Sequence, residues 1–188
     1  MLRNLGLCLT LAAGLACPLM AQDAPSHDKN VDVRSPAGDL HVGKDADAKK
    51  VGLPLYPGAR LKNDDSNSSQ ANLSLLTDAF GMKLVVANYV SDDAPAKIID
   101  FYRGKLKRYG KVLECHSQKS GVDVHNDDKD SSKGDDKQLT CDQDSGPVTE
   151  LKVGTEDNQH VVSVEPADNK GTHFALVYVH TRGKQGDI

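Results

Sequence analysis

One segment of the chain follows the helical period, whereas the other apolar segments alternate as strands do. Residues 92–109 carry apolar side chains at spacings of three and four, which places them on a single stripe of a helix. The stripe consists of Ile98, Tyr102, Leu106 and Tyr109 and is widened by Ile99 and Phe101. Such a stripe needs a hydrophobic surface to cover, so the pattern predicts one principal helix packed on a core.

The ends of this helix carry recognisable signals. Asp92 and Asp93 precede it, and either carboxylate is suited to accept from the free N–H groups of the first turn. Pro95 falls in that turn, where a missing N–H costs nothing, and Gly110 predicts a left-handed residue that ends the helix. Gly104 lies in the interior, either as a tolerated exposed glycine, which we favour, or at a close approach to the sheet.

The longest alternating segment, residues 82–90, is apolar on both faces. This pattern predicts a central strand covered on both sides, with the helix over one of them. One face would carry Met82, Leu84 and Val86, and the other Val85, Ala87 and Tyr89. Further strands are predicted at 71–77, 111–115, 138–142, 148–153, 160–165 and 173–180, and residues 31–42 have the pattern of an N-terminal β-hairpin.

Together these elements predict an α+β fold: a mainly antiparallel sheet, one principal helix (about 92–109) and the N-terminal hairpin. We expect a single domain over 31–180 with an acidic loop at 117–138, followed by a disordered tail at 181–188. Strand order does not follow from the sequence.

The first residues resemble an export signal. Arg3 precedes an apolar run from Leu5 to Leu15 and small residues follow, which predicts a signal peptide over 1–21 and a flexible leader over 22–30. A lipidated Cys17 is the alternative, although Gly14 stands where a lipoprotein signal has leucine. The protein is therefore expected in the periplasm or secreted, and at a membrane only if Cys17 is lipidated.

Two of the four cysteines, Cys8 and Cys17, fall within the predicted signal. The other two, Cys115 and Cys141, are expected to form one disulfide in an exported chain. A redox or metal-binding thiol pair, with His116 nearby, is the alternative, but the spacing matches neither motif. The net charge of −4 and the lack of basic clusters argue against nucleic acid as a partner.

The acidic loop is the first candidate for ligand chemistry, because flexible oxygen-rich loops bind calcium. Its carboxylates are Asp127, Asp128, Asp130, Asp135 and Asp136. The glycine and glutamate of an EF-hand are missing, and interleaved lysines neutralise the run. A solvated loop is the favoured interpretation, and a calcium-dependent adhesion module is the alternative.

Enzymatic chemistry has weaker signals. Glu114, Glu150 and Glu165 lie on or beside predicted strands, where they could pair as acid and base in a glycosidase-like or other hydrolase. No serine stands in a nucleophile elbow, and no two histidines have metal-ligand spacing; His173 and His180, seven apart, should lie on opposite faces of their strand. We expect neither a cofactor nor a metal.

The tyrosines are a further candidate for ligand binding. Tyr89, Tyr102 and Tyr178 fall in predicted elements, where they would either line a pocket between helix and sheet or, as we favour, pack in the core.

Two motifs carry a resemblance. Residues 53–59 read LPLYPGA, and residues 101–106 read FYRGKL. With the later strands, this pattern resembles a group of exported bacterial proteins that share YPGA followed by FYR-x-x-L, over about residues 53–182. The resemblance implies no activity, since that group has no established one. Residues 31–42 also resemble a strand repeat of bacterial adhesin-like domains. We therefore expect a non-enzymatic binding or interaction module whose partner is an envelope protein or a small ligand.

Overall fold

The computed structural model describes residues 30–62, 69–119, 138–141, 144–168 and 171–183. Within these ranges nine strands and two helices follow one another. They are β1 (Val31–Ser35), β2 (Gly38–Gly43), α1 (Ala48–Val51), β3 (Arg60–Leu61), β4 (Gln70–Leu76), β5 (Gly81–Ser91), α2 (Pro95–Leu106), β6 (Leu113–Ser117), β7 (Val148–Thr155), β8 (Asn158–Pro166) and β9 (Thr172–Arg182). A 3-10 turn, Lys107–Tyr109, continues α2.

The strands form one antiparallel sheet in the order β1-β2-β4-β5-β9-β8-β7-β6, and β3 pairs with β5 beside β4. The two longest strands, β5 and β9, run antiparallel at the centre, with Val86 opposite Val177. A mainly antiparallel sheet with one main helix was predicted, and the structure confirms it.

Both helices lie on one face of this sheet, which we call the covered face. The stripe of α2 enters it through Ile98, Tyr102 and Leu106, whose side chains are fully buried. Opposite them lie apolar residues of the four central strands: Val85, Ala87, Tyr89, Leu151, Val153, Val162, Val164, Phe174 and Leu176. Three of the four stripe residues are therefore buried as predicted, whereas Tyr109 is 37% exposed, and the predicted partition of β5 is correct for this face.

The start of α2 differs from the prediction. The helix begins at Pro95, which lies in the first turn as predicted, although the span was placed from about residue 92. Its N-cap residue is Ala94, which contributes no side-chain hydrogen bond, so neither aspartate is the cap. The two aspartates have other partners: Asp92 accepts a bidentate ion pair from Arg60, and Asp93 accepts from Lys97 at 2.6 Å. The carboxylates thus connect the helix entry to neighbouring residues and do not cap it.

The end of α2 agrees with the prediction in position but not in conformation. Gly110 follows the last turn with φ +142° and ψ −159°, which lies outside the left-handed helical region yet still requires glycine. Gly104 has open space where a Cβ would stand, so it is a tolerated exposed glycine, as favoured from the sequence.

The short helix α1 was not predicted, because residues 43–52 read as a charged connection. Asp47 caps it by accepting from the Lys50 N–H at 2.7 Å, and Gly52 ends it with φ +85°. Its buried residues, Ala48 and Val51, extend the hydrophobic core beside α2. Small apolar residues between charges were the only sequence signal for it.

The two motifs of the YPGA and FYR-x-x-L pattern meet in this core. Pro57 and Gly58 form a tight turn closed by the Ala59 N–H on the Tyr56 carbonyl at 3.0 Å, with Gly58 at φ +77°. The Tyr56 ring packs edge-on to Phe101, with centroids 5.2 Å apart. The pattern therefore corresponds to an internal packing contact between a turn and a helix.

Cys115 and Cys141 form a disulfide, with Cα atoms 5.5 Å apart. It connects β6 to the segment 138–141, which was predicted as a strand. Where the structure describes this segment it forms one isolated bridge, Gln138 to Thr155, so the strand prediction is wrong there. Too few backbone pairs form for a strand.

Several predictions fall outside the described residues. They concern the signal peptide, Cys17, most of the leader and the five aspartates of the calcium hypothesis. At the other end of the chain, β9 continues to Arg182, two residues into the segment expected as a tail. The Thr181 hydroxyl and the Asp157 carboxylate, 3.0 Å apart, join its end to the β7–β8 turn.

Candidate functional site: an apolar sheet face

The face of the sheet opposite the helices, which we call the second face, is also apolar. Strand alternation places on it the residues of β5 that point away from α2, among them Met82, Leu84 and Val86. Its central part is a buried cluster of Val161, Ala175, Val177 and Val179, with Leu84 and Val86 packed against it. No described helix or strand packs over this face, so of the predicted cover on both sides of β5 the structure describes the cover by the helices.

The second face becomes exposed towards β1. Val31, Val33 and Val42 are 52%, 49% and 43% exposed. On the next strands Leu40, Leu73 and Leu75 are half-buried and lie in register with them. These six residues form a continuous surface across β1, β2 and β4, which we call the apolar patch. Adjacent exposed aliphatic side chains of this kind are typical of interaction sites.

The opposite end of the second face is polar. There Glu150 is buried on β7, where it accepts from the Ser117 hydroxyl at 3.1 Å and pairs with Lys152 at 3.3 Å. The two strand neighbours hold the carboxylate in place and balance its charge, as buried acids require. The face thus changes along the sheet from a charged end at β6 and β7 to an apolar end at β1.

The three glutamates of the hydrolase hypothesis are not brought together. Glu114 lies on the covered face, where Arg103 donates to it at 2.7 Å. Glu150 and Glu165 lie on the second face, and Glu165 stands opposite His173. The sheet separates Glu114 from the other two. Glu150 and Glu165 are diagonal neighbours on the second face, because Glu150 pairs with Ser163, and the Glu150 carboxylate is held there by Ser117 and Lys152.

A polar cluster occupies the covered face at the end beyond the helices. The Nδ1 atom of His41 lies 2.7 Å from an Asp32 oxygen and its Nε2 atom 3.6 Å from Asp45, while the Asn72 amide donates to Asp45 at 3.0 Å. The hydrogen bond to Asp32 raises the pKa of His41. Lys50, and after it Asn72, hold the pKa of Asp45 far below its usual range.

This cluster balances its own charges, because each carboxylate has a cationic or amide partner. It contains an acid and an imidazole, but no serine or cysteine hydrogen-bonds to His41 within the described residues. It therefore lacks the nucleophile that an Asp-His pair would activate. In the part of the chain that the structure describes, no three His, Cys, Asp or Glu side chains are arranged to hold a metal ion.

The tyrosines are structural. Tyr89 and Tyr102 are buried, and the Tyr89 oxygen accepts from the Ala48 N–H at 2.9 Å. Tyr178 is half-buried and stacks beside His160, whose ring lies 4.1 Å from that of Tyr109. Burial lowers the pKa of His160. Core packing was the favoured interpretation for these side chains, and it is correct for Tyr89 and Tyr102.

A cavity of about 220 Å³ lies where β5 ends beside the β8–β9 connection. Three of its polar lining residues already have partners. Asp92 binds Arg60, the Thr172 hydroxyl donates to the Asp93 carbonyl at 2.6 Å, and the Ser91 hydroxyl accepts from the Asp93 N–H. His173, which borders the cavity, lies on the second face. His180 lies on the covered face, so the two histidines are on opposite faces of β9, as expected from their spacing. The cavity offers a ligand no buried polar group without a partner.

No helix among the described residues is long and apolar enough to cross a membrane. Comparison with protein-family models, curated proteins and solved structures finds no match. The fold and the site together define the class of protein: an antiparallel sheet with helices on one face and an apolar patch on the other. Sequence reasoning missed the patch, because alternation shows that two faces are apolar but not which one the helices leave uncovered.

Proposed function

We propose that the protein is an exported, non-enzymatic interaction module that binds a protein partner through its apolar patch. The single observation that carries this proposal is the row of Val31, Val33 and Val42, each more than two-fifths exposed, beside the half-buried Leu40, Leu73 and Leu75. Aliphatic side chains in one continuous surface lose contact with water when a partner covers them, which favours association.

The shape of the patch supports a protein partner. It lies across adjacent strands of a sheet, and none of its residues lines the 220 Å³ cavity. Small-molecule sites are concave and enclose most of their ligand, whereas sheet faces pack against other extended surfaces. A protein with its own apolar face is therefore the better occupant.

Export is supported by the disulfide, which is compatible with an oxidising compartment. The bond also fastens the segment 138–141 to β6, at the far end of the sheet from the patch. In this location, periplasmic or secreted, the partner would be an envelope protein or another exported protein.

Two adjacent residues provide the test. Leu75 lies in the patch, whereas Leu76 is 45% exposed on the covered face. A photoreactive phenylalanine at position 75, in protein expressed in the native host, is expected to give an adduct with one defined envelope protein. The same probe at position 76 should give none, and the purified partner should bind the wild type and Leu76→Lys but not Leu75→Lys.

The proposal fails if position 75 gives no protein adduct, or if positions 75 and 76 give the same ones. An adduct with a small molecule would show that the patch binds a small ligand and not a protein partner. An adduct only with another copy of this chain would restrict the patch to self-association.

A further inference from the structure

The two edges of the sheet differ. Beside β6, the segment containing Cys141 is held by the disulfide, and Asp144 forms a bridge to His116. At the other edge, β1 pairs with β2 alone, and all five of its residues are exposed. Within the described ranges nothing pairs with its outer side. An uncovered edge presents free N–H and C=O groups to any strand that can align with it.

The side chains of β1 are complementary to themselves. In an antiparallel pair of two copies centred on Val33, Asp32 of one copy stands opposite Arg34 of the other, and the reverse pair forms on the other side of the axis. Centring on Asp32 or on Arg34 would place like charges together. Among the registers centred on the three inner residues of β1, charge thus selects the one centred on Val33.

Arg34 has no hydrogen bond or ion pair with the described residues of its own chain. Asp32 is exposed, and among the described residues its side chain bonds to His41, on the side of β2. Both charges are consequently available to a neighbour on the outer edge. Val33 would meet Val33 of the second copy on the second face, so the two apolar patches would become continuous.

From this charge pattern we infer that β1 is a docking edge for a second copy of the chain, which forms an isologous dimer with one sheet running through both subunits. The inference does not rest on the proposed function. It involves the edge of β1 and its charges, whereas the proposed function involves the surface around Leu75.

Charge reversal tests the register. Asp32→Arg alone places the introduced arginine opposite Arg34, and Arg34→Asp alone places two aspartates together, so each variant should sediment as a monomer where the wild type forms dimers. An equimolar mixture of the two variants restores both opposite-charge pairs and should recover the dimer. Recovery in the mixture cannot arise from damaged folding, which makes it the decisive measurement.

A cysteine at the axis provides a second readout. Val33→Cys should form a disulfide-linked dimer on oxidation, because position 33 faces itself across the axis. Val31→Cys, which would face Ser35, should not. The inference is overturned if the wild type remains monomeric at all concentrations, or if charge reversal leaves dimerisation unchanged. A dimer lost in Leu75→Lys but retained in both charge variants would assign the contact to the apolar patch and likewise refute the edge.

Discussion

The Tyr102 hydroxyl accepts a hydrogen bond from the Tyr56 backbone N–H at 3.1 Å and donates one to the Pro54 carbonyl at 3.2 Å. This phenol, which is fully buried, joins helix α2 to the YPGA segment by hydrogen bonds, in addition to the packing of Tyr56 on Phe101. Its burial raises the pKa of Tyr102 well above the ordinary value of a tyrosine. The hydroxyl therefore stays neutral, as donor and acceptor, to a higher pH than an exposed tyrosine would.

Tyr102→Phe should be markedly destabilising. The substitution leaves a buried N–H and a part-buried C=O without partners, at a cost of about 1–3 kcal/mol. Urea unfolding provides the measurement. Tyr109→Phe is the control, because its hydroxyl bonds to the Gly52 carbonyl at an exposed site and its loss should cost about 0.5 kcal/mol. Equal losses in the two variants would contradict the structural role of Tyr102.

Reduction of the disulfide should lower the free energy of unfolding by about 3 kcal/mol, because Cys115 and Cys141 close a loop with a sequence separation of 26. The double variant Cys115→Ala/Cys141→Ala should lose a similar amount and become insensitive to reductant. A wild type whose urea midpoint does not change with reductant would show that the bond contributes nothing to stability.

His160 should make the fold sensitive to acid. Its pKa is lowered by burial, partly offset by a hydrogen bond to the Val51 carbonyl, so the unfolded chain binds a proton more readily than the folded one. Stability should therefore fall as the pH drops below about 6.5, the ordinary value for histidine. In His160→Gln, the urea midpoint should lose this acid dependence.

His41 is the matched control, with the opposite sign. Its pKa is raised, chiefly by the hydrogen bond to Asp32. Its contribution is complete below about 6.5 and is lost as the pH rises through the folded value. In His41→Gln, the urea midpoint should no longer depend on pH above about 6.5 through this group, and its dependence at lower pH should be unchanged. Loss of the dependence at lower pH in this variant would refute both assignments.

Two glycines should respond to alanine in opposite directions. Gly104→Ala places a methyl group in open space within α2 and should stabilise the protein by about 1 kcal/mol. Gly154 has φ +112°, and a Cβ there would stand 2.1 Å from the Asn158 carbonyl oxygen. Gly154→Ala should destabilise by more than about 1 kcal/mol. Thermal unfolding of both variants tests the pair, and a stabilised Gly154→Ala would contradict the turn geometry.

Local patterns predicted the individual elements well. The stripe on α2 and the alternation of β5 depend on neighbouring residues only, so period and polarity are sufficient to identify them. The N-cap of α2 was assigned wrongly, because Arg60, outside the helix, and Lys97, inside it, bind the two aspartates that the sequence offers as caps. Helix α1 was missed because four residues are too few to show a period.

The sequence by itself determined the pattern of the strands, the main helix and the pair of cysteines available for a disulfide. Only the tertiary structure decided the strand order, and with it which apolar face the helices cover and which edge is left to β1. The reason is physical. The alternation of side chains shows that a strand has two apolar faces, but which of them the helices cover depends on pairings between residues as distant in sequence as Val86 and Val177. That order places the apolar patch on the face without helices, and Asp32 and Arg34 at the free edge.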